Sequence, residues 1–229
     1  MRYGIINAEQ TEMDGILAAL QDENVITVQG MPFHVGRLNQ TEVVVVKSGI
    51  GKVAAAVTAT LLITKFEVNY LINSGSAGAL GGDLHIGDVV IADELAYFDA
   101  DARVFGYEFG QVPQQPARFT ADAQLSLALA QSYGDQQAKV QRGMIVSGDT
   151  FINSLEQKQA IVQAFPQALA GEMEGAAVAQ VAHQFAIPFA VVRAISDNAN
   201  GEAGMSYDEF VVQAGQQSAT VLVNYFEQV

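Results

Sequence analysis

The sequence predicts a single α/β domain spanning residues 1–229. Short runs rich in β-branched residues alternate with longer Ala-rich segments along the chain, a pattern typical of helices packed on a sheet. Several runs are almost wholly apolar, among them 42–47 (EVVVVK), as expected of strands covered on both faces. With 229 residues, 50% of them hydrophobic and 16% charged, the chain can bury one large core.

Eight short apolar segments are the predicted strands. In chain order they lie at 3–7, 25–29, 32–38, 42–47, 69–73, 88–96, 139–147 and 189–195. Asn39 and Gln40 stand between the third and the fourth, and Asn is favoured in turns. We therefore expect this pair of strands to form a hairpin.

Six segments carry apolar residues at spacings of three and four, which predicts helices. They lie at 11–20, 52–65, 121–132, 155–164, 174–185 and 207–227. Ser154 with Gln157, and Ser206 with Glu209, fit the capping box, in which two side chains satisfy free amides at a helix start. Residues 99–120 hold two prolines, three Phe and one Tyr in no clear period, so they predict a long functional or interface loop.

The charge balance argues against nucleic-acid and membrane partners. Against 25 acidic residues stand only 11 basic ones, a formal net charge of -14, so no basic face is available for a phosphate backbone or an anionic bilayer. No stretch approaches the roughly 20 apolar residues of a membrane span, and a signal peptide is not evident, so a cytoplasmic location is expected. The chain lacks Cys, and its His34, His85 and His183 are scattered; neither a metal nor another cofactor is indicated.

Two glycine clusters fail the tests for nucleotide-binding loops. Around Gly49 and Gly51 a P-loop would need Gly at Val46 and Ser or Thr at Val53. The segment 75–81 (GSAGALG) does not have the G-x-G-x-x-G spacing of a dinucleotide site. We expect it to form a small-residue loop at the carboxyl end of a strand, which serves either as a ligand site or as a plain tight turn.

Acidic residues follow three apolar segments, where open α/β sheets bind ligands: Glu12 after IIN, the pair Glu172 and Glu174 after ALA, and Asp197 after VVRAIS. Glu12 falls in the first turn of a predicted helix, where the helix dipole favours an ionised carboxylate. Such a group suits a general base, although acids at helix starts are also common without any function.

The remaining acidic positions leave alternatives open. Of the pair Glu172 and Glu174, one is expected to face a ligand such as a pair of ribose hydroxyls, while solvated acids at a helix start are the alternative. Arg193 lies within a predicted buried strand and needs an anionic partner, either Glu12 or Glu174. Asp197 is either an acid of the site or an ordinary turn residue.

Six segments of the chain resemble the 5′-methylthioadenosine/S-adenosylhomocysteine nucleosidases. They are VKSGIGKVAAA, INSGSAGAL, YFDADARVFGYEFGQVP, IVSGDTFIN, EMEGAAVA and VVRAISD. The resemblance covers essentially the whole chain. It implies a nucleoside-phosphorylase-like, three-layer α/β/α sandwich with a central mixed sheet, a homodimer without cofactor, and hydrolytic release of adenine from small adenine thionucleosides.

The resemblance also implies roles for individual residues. Glu12 would activate the attacking water, with Ser76 and Arg193 helping to hold the water and the carboxylate. Asp197, supported by Ser196, would donate a proton towards N7 of the purine. A ribosyl transition state is cation-like and adenine leaves better when protonated, so this division of labour is chemically consistent.

Further positions are implied to bind the substrate. Glu174 would bind the ribose hydroxyls, with Met173 along the sugar. The adenine would stack on Phe151 and be read by the backbone of Ile152. The thioalkyl end would meet Ile50 and Tyr207. A partner subunit would complete the pocket with Ala102, Phe105, Tyr107 and Pro113.

Other functions are less consistent with the residues. A phosphorylase needs a basic cluster, but the cations near the motifs are Lys47, Lys52 and Arg193, and Glu12 would repel phosphate. A hydrolase of a related adenine nucleoside, such as aminodeoxyfutalosine, is closer to the function that the resemblance implies and is harder to exclude. A non-catalytic nucleoside-binding module is disfavoured because all the expected carboxylates are present. The chain departs from the usual family residues at Glu9, Ala102 and Tyr207, which affects the pocket lining.

Overall fold

The computed structural model describes residues 1–81, 83–133, 139–199 and 203–229, without the side chains of 203–209. Its strands form one sheet. They are β1 Arg2–Asn7, β2 Gln21–Val28, β3 Met31–Leu38, β4 Thr41–Lys47, β5 Tyr70–Ala79, β6 Val89–Tyr97, β7 Phe119–Thr120, β8 Val140–Ser147, β9 Ala168–Glu172 and β10 Phe189–Asp197. The helices are α1 Gln10–Ala19, α2 Lys52–Phe66, α3 Ala123–Ser132, α4 Leu155–Ala164, α5 Gly175–Phe185 and α6 Ala203–Glu227.

The sheet is mixed and partly closed on itself. Its order is β10-β6-β8-β9-β5-β1-β4-β3-β2, with β7 beside β6, and β10 also pairs with β5. The strands β5, β10, β6, β8 and β9 therefore form a ring. β5 pairs with three strands, β1 near its start, β9 at its end and β10 along most of its length, so its carboxyl end lies where several strand ends converge.

Helices cover both faces of the sheet, which confirms the predicted three-layer α/β/α architecture. Residues of α2 and α5 pack together with strand residues in one buried cluster. Residues of α1, α3 and α6 pack in a second cluster on the opposite face. Of the helices in the described part of the chain, none is long and apolar enough to cross a membrane.

Most predicted elements are present, with shifted ends. The predicted hairpin is β3–β4, and Ser154 caps α4 by accepting a hydrogen bond from the amide of Gln157 at 3.2 Å. The second predicted cap is wrong, because α6 begins at Ala203 and Ser206 lies inside it. The strands β7 and β9 were not among the predicted eight. The first has only two residues, and the second, ALAGE, consists mostly of Ala and Gly, which are depleted in strands.

The prediction of a loop at 75–81 is wrong for most of its length, because β5 continues to Ala79 and pairs with β10 as far as Asp197. The glycines of this segment instead allow other side chains to approach the strand closely. A Cβ atom on Gly75 would lie 2.7 Å from Oε1 of Glu12, and one on Gly78 would lie 3.0 Å from Oδ1 of Asp197. Glycine at these positions lets two carboxylates reach the strand.

Candidate active site

A cavity of about 440 Å³ opens where β1, β5, β9 and β10 end. It contains every acidic position singled out from the sequence. Its lining is formed by Ala8, Glu9, Glu12, Ile50, Ser76, Ala77, Gly78, Thr150, Phe151, Ile152, Gly171, Glu172, Met173, Glu174, Ser196 and Asp197. Residues remote in sequence thus meet because β1, β5 and β10 are parallel and bring their carboxyl ends to one edge, where the antiparallel β9 also ends beside β5.

Glu12 is held rigidly at the start of α1. One carboxylate oxygen accepts hydrogen bonds from the amides of Ala8 and Glu9 at 3.0 and 3.1 Å. The other accepts from the amide and the hydroxyl of Ser76 at 2.9 and 3.0 Å. An ionised carboxylate can accept all four bonds. The side chain is buried, so its direction is set by the protein rather than by solvent.

Arg193 has the anionic partner expected of a buried guanidinium, being only 1% exposed. The partner is chiefly Glu172, which neither alternative included. Glu174 lies further away, at 3.7 Å, and the second hydrogen bond of Nη2 goes to Asn73 at 2.5 Å. Of the two partners expected from the sequence, Glu174 therefore forms a second, longer ion pair, whereas no hydrogen bond or ion pair joins Arg193 to Glu12 in the described part of the chain.

Glu172 lines the cavity, but most of its hydrogen bonds are with the protein. Its carboxylate accepts from the hydroxyl of Ser147 and from the amides of Glu174 and Gly175, at 3.0 and 2.8 Å for the amides, besides its bonds to Arg193. This role of Glu172 was not predicted from the sequence. Two signals pointed to it: Glu172 ends a strand, and it stands immediately before a helix start, where amides need acceptors.

Glu174 is the carboxylate of the pair that is left for a ligand. It lines the cavity and accepts one hydrogen bond, from the amide of Gly51 at 2.8 Å. Burial, followed by the charge of Glu172, raises the pKa of Glu174 to about 8, although Arg193 and the Gly51 amide act in the opposite direction. Burial therefore disfavours the ionised form of Glu174.

This pKa predicts a pH-dependent stability. A carboxyl group whose folded pKa lies above its unfolded value of 4.5 stabilises the fold most below 4.5, and that contribution is lost as pH rises through about 8. Glu174→Gln removes the titration. We expect its unfolding free energy to increase relative to the native protein by about 1–4 kcal/mol between acidic and alkaline pH, since one pKa unit is worth about 1.4 kcal/mol.

Urea unfolding across this pH range measures the difference. Glu156→Gln is the matched control, because Glu156 is an exposed acid in the first turn of α4. A stability difference between native protein and Glu174→Gln that did not change with pH would contradict the raised pKa.

Asp197 ends β10 and is buried. Its Oδ2 accepts from the hydroxyl of Ser196 at 2.9 Å, and its Oδ1 accepts from the amide of Ala199 at 2.8 Å. The second bond makes Asp197 a turn residue as well as a lining residue, so the two sequence interpretations are compatible. Glu12 touches β5 at Gly75 and Asp197 touches it at Gly78; at about 3.3 Å per residue these contacts lie roughly 10 Å apart.

The apolar wall of the cavity contains the predicted substrate-binding residues. Phe151, 43% exposed, and the buried Ile152 lie beside Met173, and Ile50 stands exposed at the rim. The side chain of Tyr207 lies outside the described residues. An aromatic face and an apolar rim suit a flat heteroaromatic group with an apolar substituent.

Four positions expected from a partner subunit lie outside this lining. They fall in or near a short 3₁₀ turn, Arg103–Phe105, and are Ala102, Phe105, Tyr107 and Pro113. In the single chain the turn projects outward, with Val104 85% and Phe105 78% exposed. The contribution of this loop to a pocket stays a prediction.

The cavity is acidic and offers no cation to an anionic ligand. None of its described lining residues is Lys or Arg, and positions 82, 134–138 and 200–209 contain neither. The nearby ammonium of Lys52 is paired with Asp99 at 2.7 Å. No group of three or more potential metal ligands occurs among the described residues.

This fold and site define a member of the phosphorylase superfamily, whose family model matches residues 2–227. Among its relatives, a 5′-methylthioadenosine/S-adenosylhomocysteine nucleosidase of Staphylococcus aureus is 49% identical over 216 residues, covering 94% of this chain and 95% of that protein. Within the superfamily, the chain belongs to this nucleosidase family.

Solved structures agree with that assignment. The nucleosidase from S. pneumoniae, in complex with the transition-state inhibitor MT-ImmA, is 43% identical with a TM-score of 0.96 over 99% of each chain. A futalosine hydrolase of Helicobacter pylori is 36% identical with a TM-score of 0.94, covering 100% of this chain and 98% of that one. Relatives named for different nucleosides thus share this fold.

Proposed function

We propose that this protein hydrolyses the N-glycosidic bond of 5′-methylthioadenosine and S-adenosylhomocysteine, releasing adenine and the thioribose product. One observation carries the proposal: the cavity holds both Glu12, fixed by four donors, and Asp197, and no described lining residue is Lys or Arg. The names of the relatives support the choice of nucleosides.

In this mechanism Glu12 takes a proton from a water molecule that attacks the anomeric carbon. The hydroxyl and amide of Ser76 hold the carboxylate in place, which favours proton transfer in a fixed direction. Arg193 acts further away, because its guanidinium orders Glu172 and through it the start of α5.

Glu174 and Asp197 serve the two halves of the substrate. The Glu174 carboxylate binds the ribose hydroxyls, and hydrogen bonds from these hydroxyls favour its ionised form. The ionised carboxylate then stabilises the cation-like sugar of the transition state. Asp197 donates towards N7 of the adenine, which stacks on Phe151. The sugar runs along Met173, Ile152 meets the edge of the base, and Ile50 and Tyr207 lie towards the thioalkyl end.

Hydrolysis and phosphorolysis are separated by a product test. Because the described lining carries no cation to bind a phosphate dianion, adenine release should proceed at the same rate with and without phosphate, and the sugar product should be free. Chromatography of both products measures this. A sugar 1-phosphate whose formation rises with phosphate concentration would establish a phosphorylase instead.

A second candidate substrate is a related adenine nucleoside. The futalosine hydrolase of Helicobacter pylori covers this whole chain at 36% identity. The same product assay on methylthioadenosine, S-adenosylhomocysteine and aminodeoxyfutalosine distinguishes these substrates by their ratios of kcat/KM. The observed higher identity to nucleosidases named for the thionucleosides favours the first two.

We also propose that the enzyme acts as a homodimer in the cytoplasm. The adjacent side chains of Val104 and Phe105, both strongly exposed on one turn, support an interface, because contiguous exposed apolar surface marks contact sites. Ala102, Phe105, Tyr107 and Pro113 of one subunit would then border the other subunit's pocket.

A further inference from the structure

Lys158 contacts the turn that follows the proposed acid. It lies on α4, in the first turns after the cap Ser154. Its ammonium donates a hydrogen bond to the backbone carbonyl of Asn198 at 2.8 Å. Asn198 follows directly after Asp197, so a side chain of α4 fixes the backbone beside the carboxylate.

The same turn is held at two other points. The amide of Ala199 donates to Asp197 at 2.8 Å, and the side chain of Ala199 is fully buried in a cluster with Ile152 and Ile161. Ala199 has a φ of 50°, a left-handed conformation that is unfavourable for alanine. Additional contacts are therefore needed to hold this turn, and Lys158 makes one of them.

The ammonium of Lys158 also lies within electrostatic range of Asp197. Partial burial lowers the pKa of Lys158, and the negative charge of Asp197 opposes that change. The half-buried ammonium is therefore near enough to the carboxylate for their charges to interact. Within the described part of the chain, Lys158 does not line the cavity, so it would act through the turn rather than on the substrate.

We propose that Lys158 is a positioning residue for Asp197, fixing the turn at Asn198 so that the carboxyl group meets the leaving group of the substrate. The inference rests on the proposed role of Asp197 as the acid. The carboxylates lie at strand ends, whereas Lys158 lies on α4. The proposal therefore gives this helix a part in the departure of the leaving group.

The test compares two leaving groups. Adenine needs a proton in order to leave, whereas 4-nitrophenolate leaves readily without one. Lys158→Met should lower kcat on methylthioadenosine by about 5- to 30-fold, because a misplaced catalytic group loses rate. It should change KM by less than about twofold, since the acid acts in the transition state. The rate on 4-nitrophenyl 5-methylthioriboside should stay unchanged.

Two further variants complete the experiment. Lys158→Arg keeps a donor and a positive charge, and it should restore most of the activity. Lys65→Met, at an exposed lysine of α2, should behave as the native protein. Lys158→Gln replaces Lys158→Met if the latter folds poorly, as judged by circular dichroism.

Three results would overturn the proposal: unchanged turnover in Lys158→Met, an equal loss on both substrates, or no rescue by Lys158→Arg. Asp197→Asn, assayed in parallel, separates this failure from that of the proposed function. If Asp197→Asn is impaired on methylthioadenosine but Lys158→Met is not, only the positioning role of Lys158 is refuted. If Asp197→Asn itself releases adenine normally, the proposed acid is wrong.

Discussion

Glu12→Gln is expected to lower kcat by about 10²–10⁴-fold, which corresponds to about 3–5 kcal/mol of barrier. The amide keeps the shape of the side chain but cannot accept a proton from water. The four groups that surround this side chain, from Ala8, Glu9 and Ser76, are all hydrogen-bond donors. The NH₂ group of glutamine is a donor too, so it cannot bond to the donors that it faces. A loss of about 1–3 kcal/mol of unfolding free energy should accompany the loss of turnover.

Steady-state kinetics and urea unfolding of the same preparation measure both effects. Asp14→Asn is the matched control, because Asp14 is an exposed acid on the same helix, with a single hydrogen bond from Gln10. Its kinetics should equal those of the native protein. Near-native turnover in a correctly folded Glu12→Gln variant would show that Glu12 is not the general base.

Asp197→Asn should likewise lower kcat on adenine nucleosides by about 10²–10⁴-fold. Asparagine can still accept from the amide of Ala199, and the hydroxyl of Ser196 can reorient towards its NH₂ group, so the turn should persist. What is lost is the transferable proton. The defect should therefore depend on the leaving group.

The 4-nitrophenyl riboside makes this dependence measurable. Because its leaving group departs without protonation, Asp197→Asn should hydrolyse it at close to the native rate, while Glu12→Gln should be impaired on both substrates. Asp14→Asn again provides the control. An equal loss on both leaving groups in Asp197→Asn would mean that Asp197 supports the fold of the site rather than donating a proton.

The sequence predicted the layers of the fold because periodicity is a local property. The run 42–47 reads as a buried strand from its own residues, and β4 occupies Thr41–Lys47. The strand β7 was not predicted because it has only two residues, and β9 was not predicted because Ala and Gly, which are depleted in strands, make up most of it. The prediction of a loop at 75–81 was wrong, because local composition does not reveal that β10 pairs with this segment.

For the site, the sequence by itself determined which acids stand at strand ends and that the buried Arg193 requires an anion, because strand direction and the cost of burying a charge follow from the residues alone. Only the tertiary structure decided that this anion is Glu172, and that Asn73 shares the same guanidinium. It also decided that Lys158 reaches the turn after Asp197. These pairings join residues 21, 120 and 40 positions apart, and local patterns do not encode such distances: they depend on strand order, register and helix packing, which the whole chain sets together.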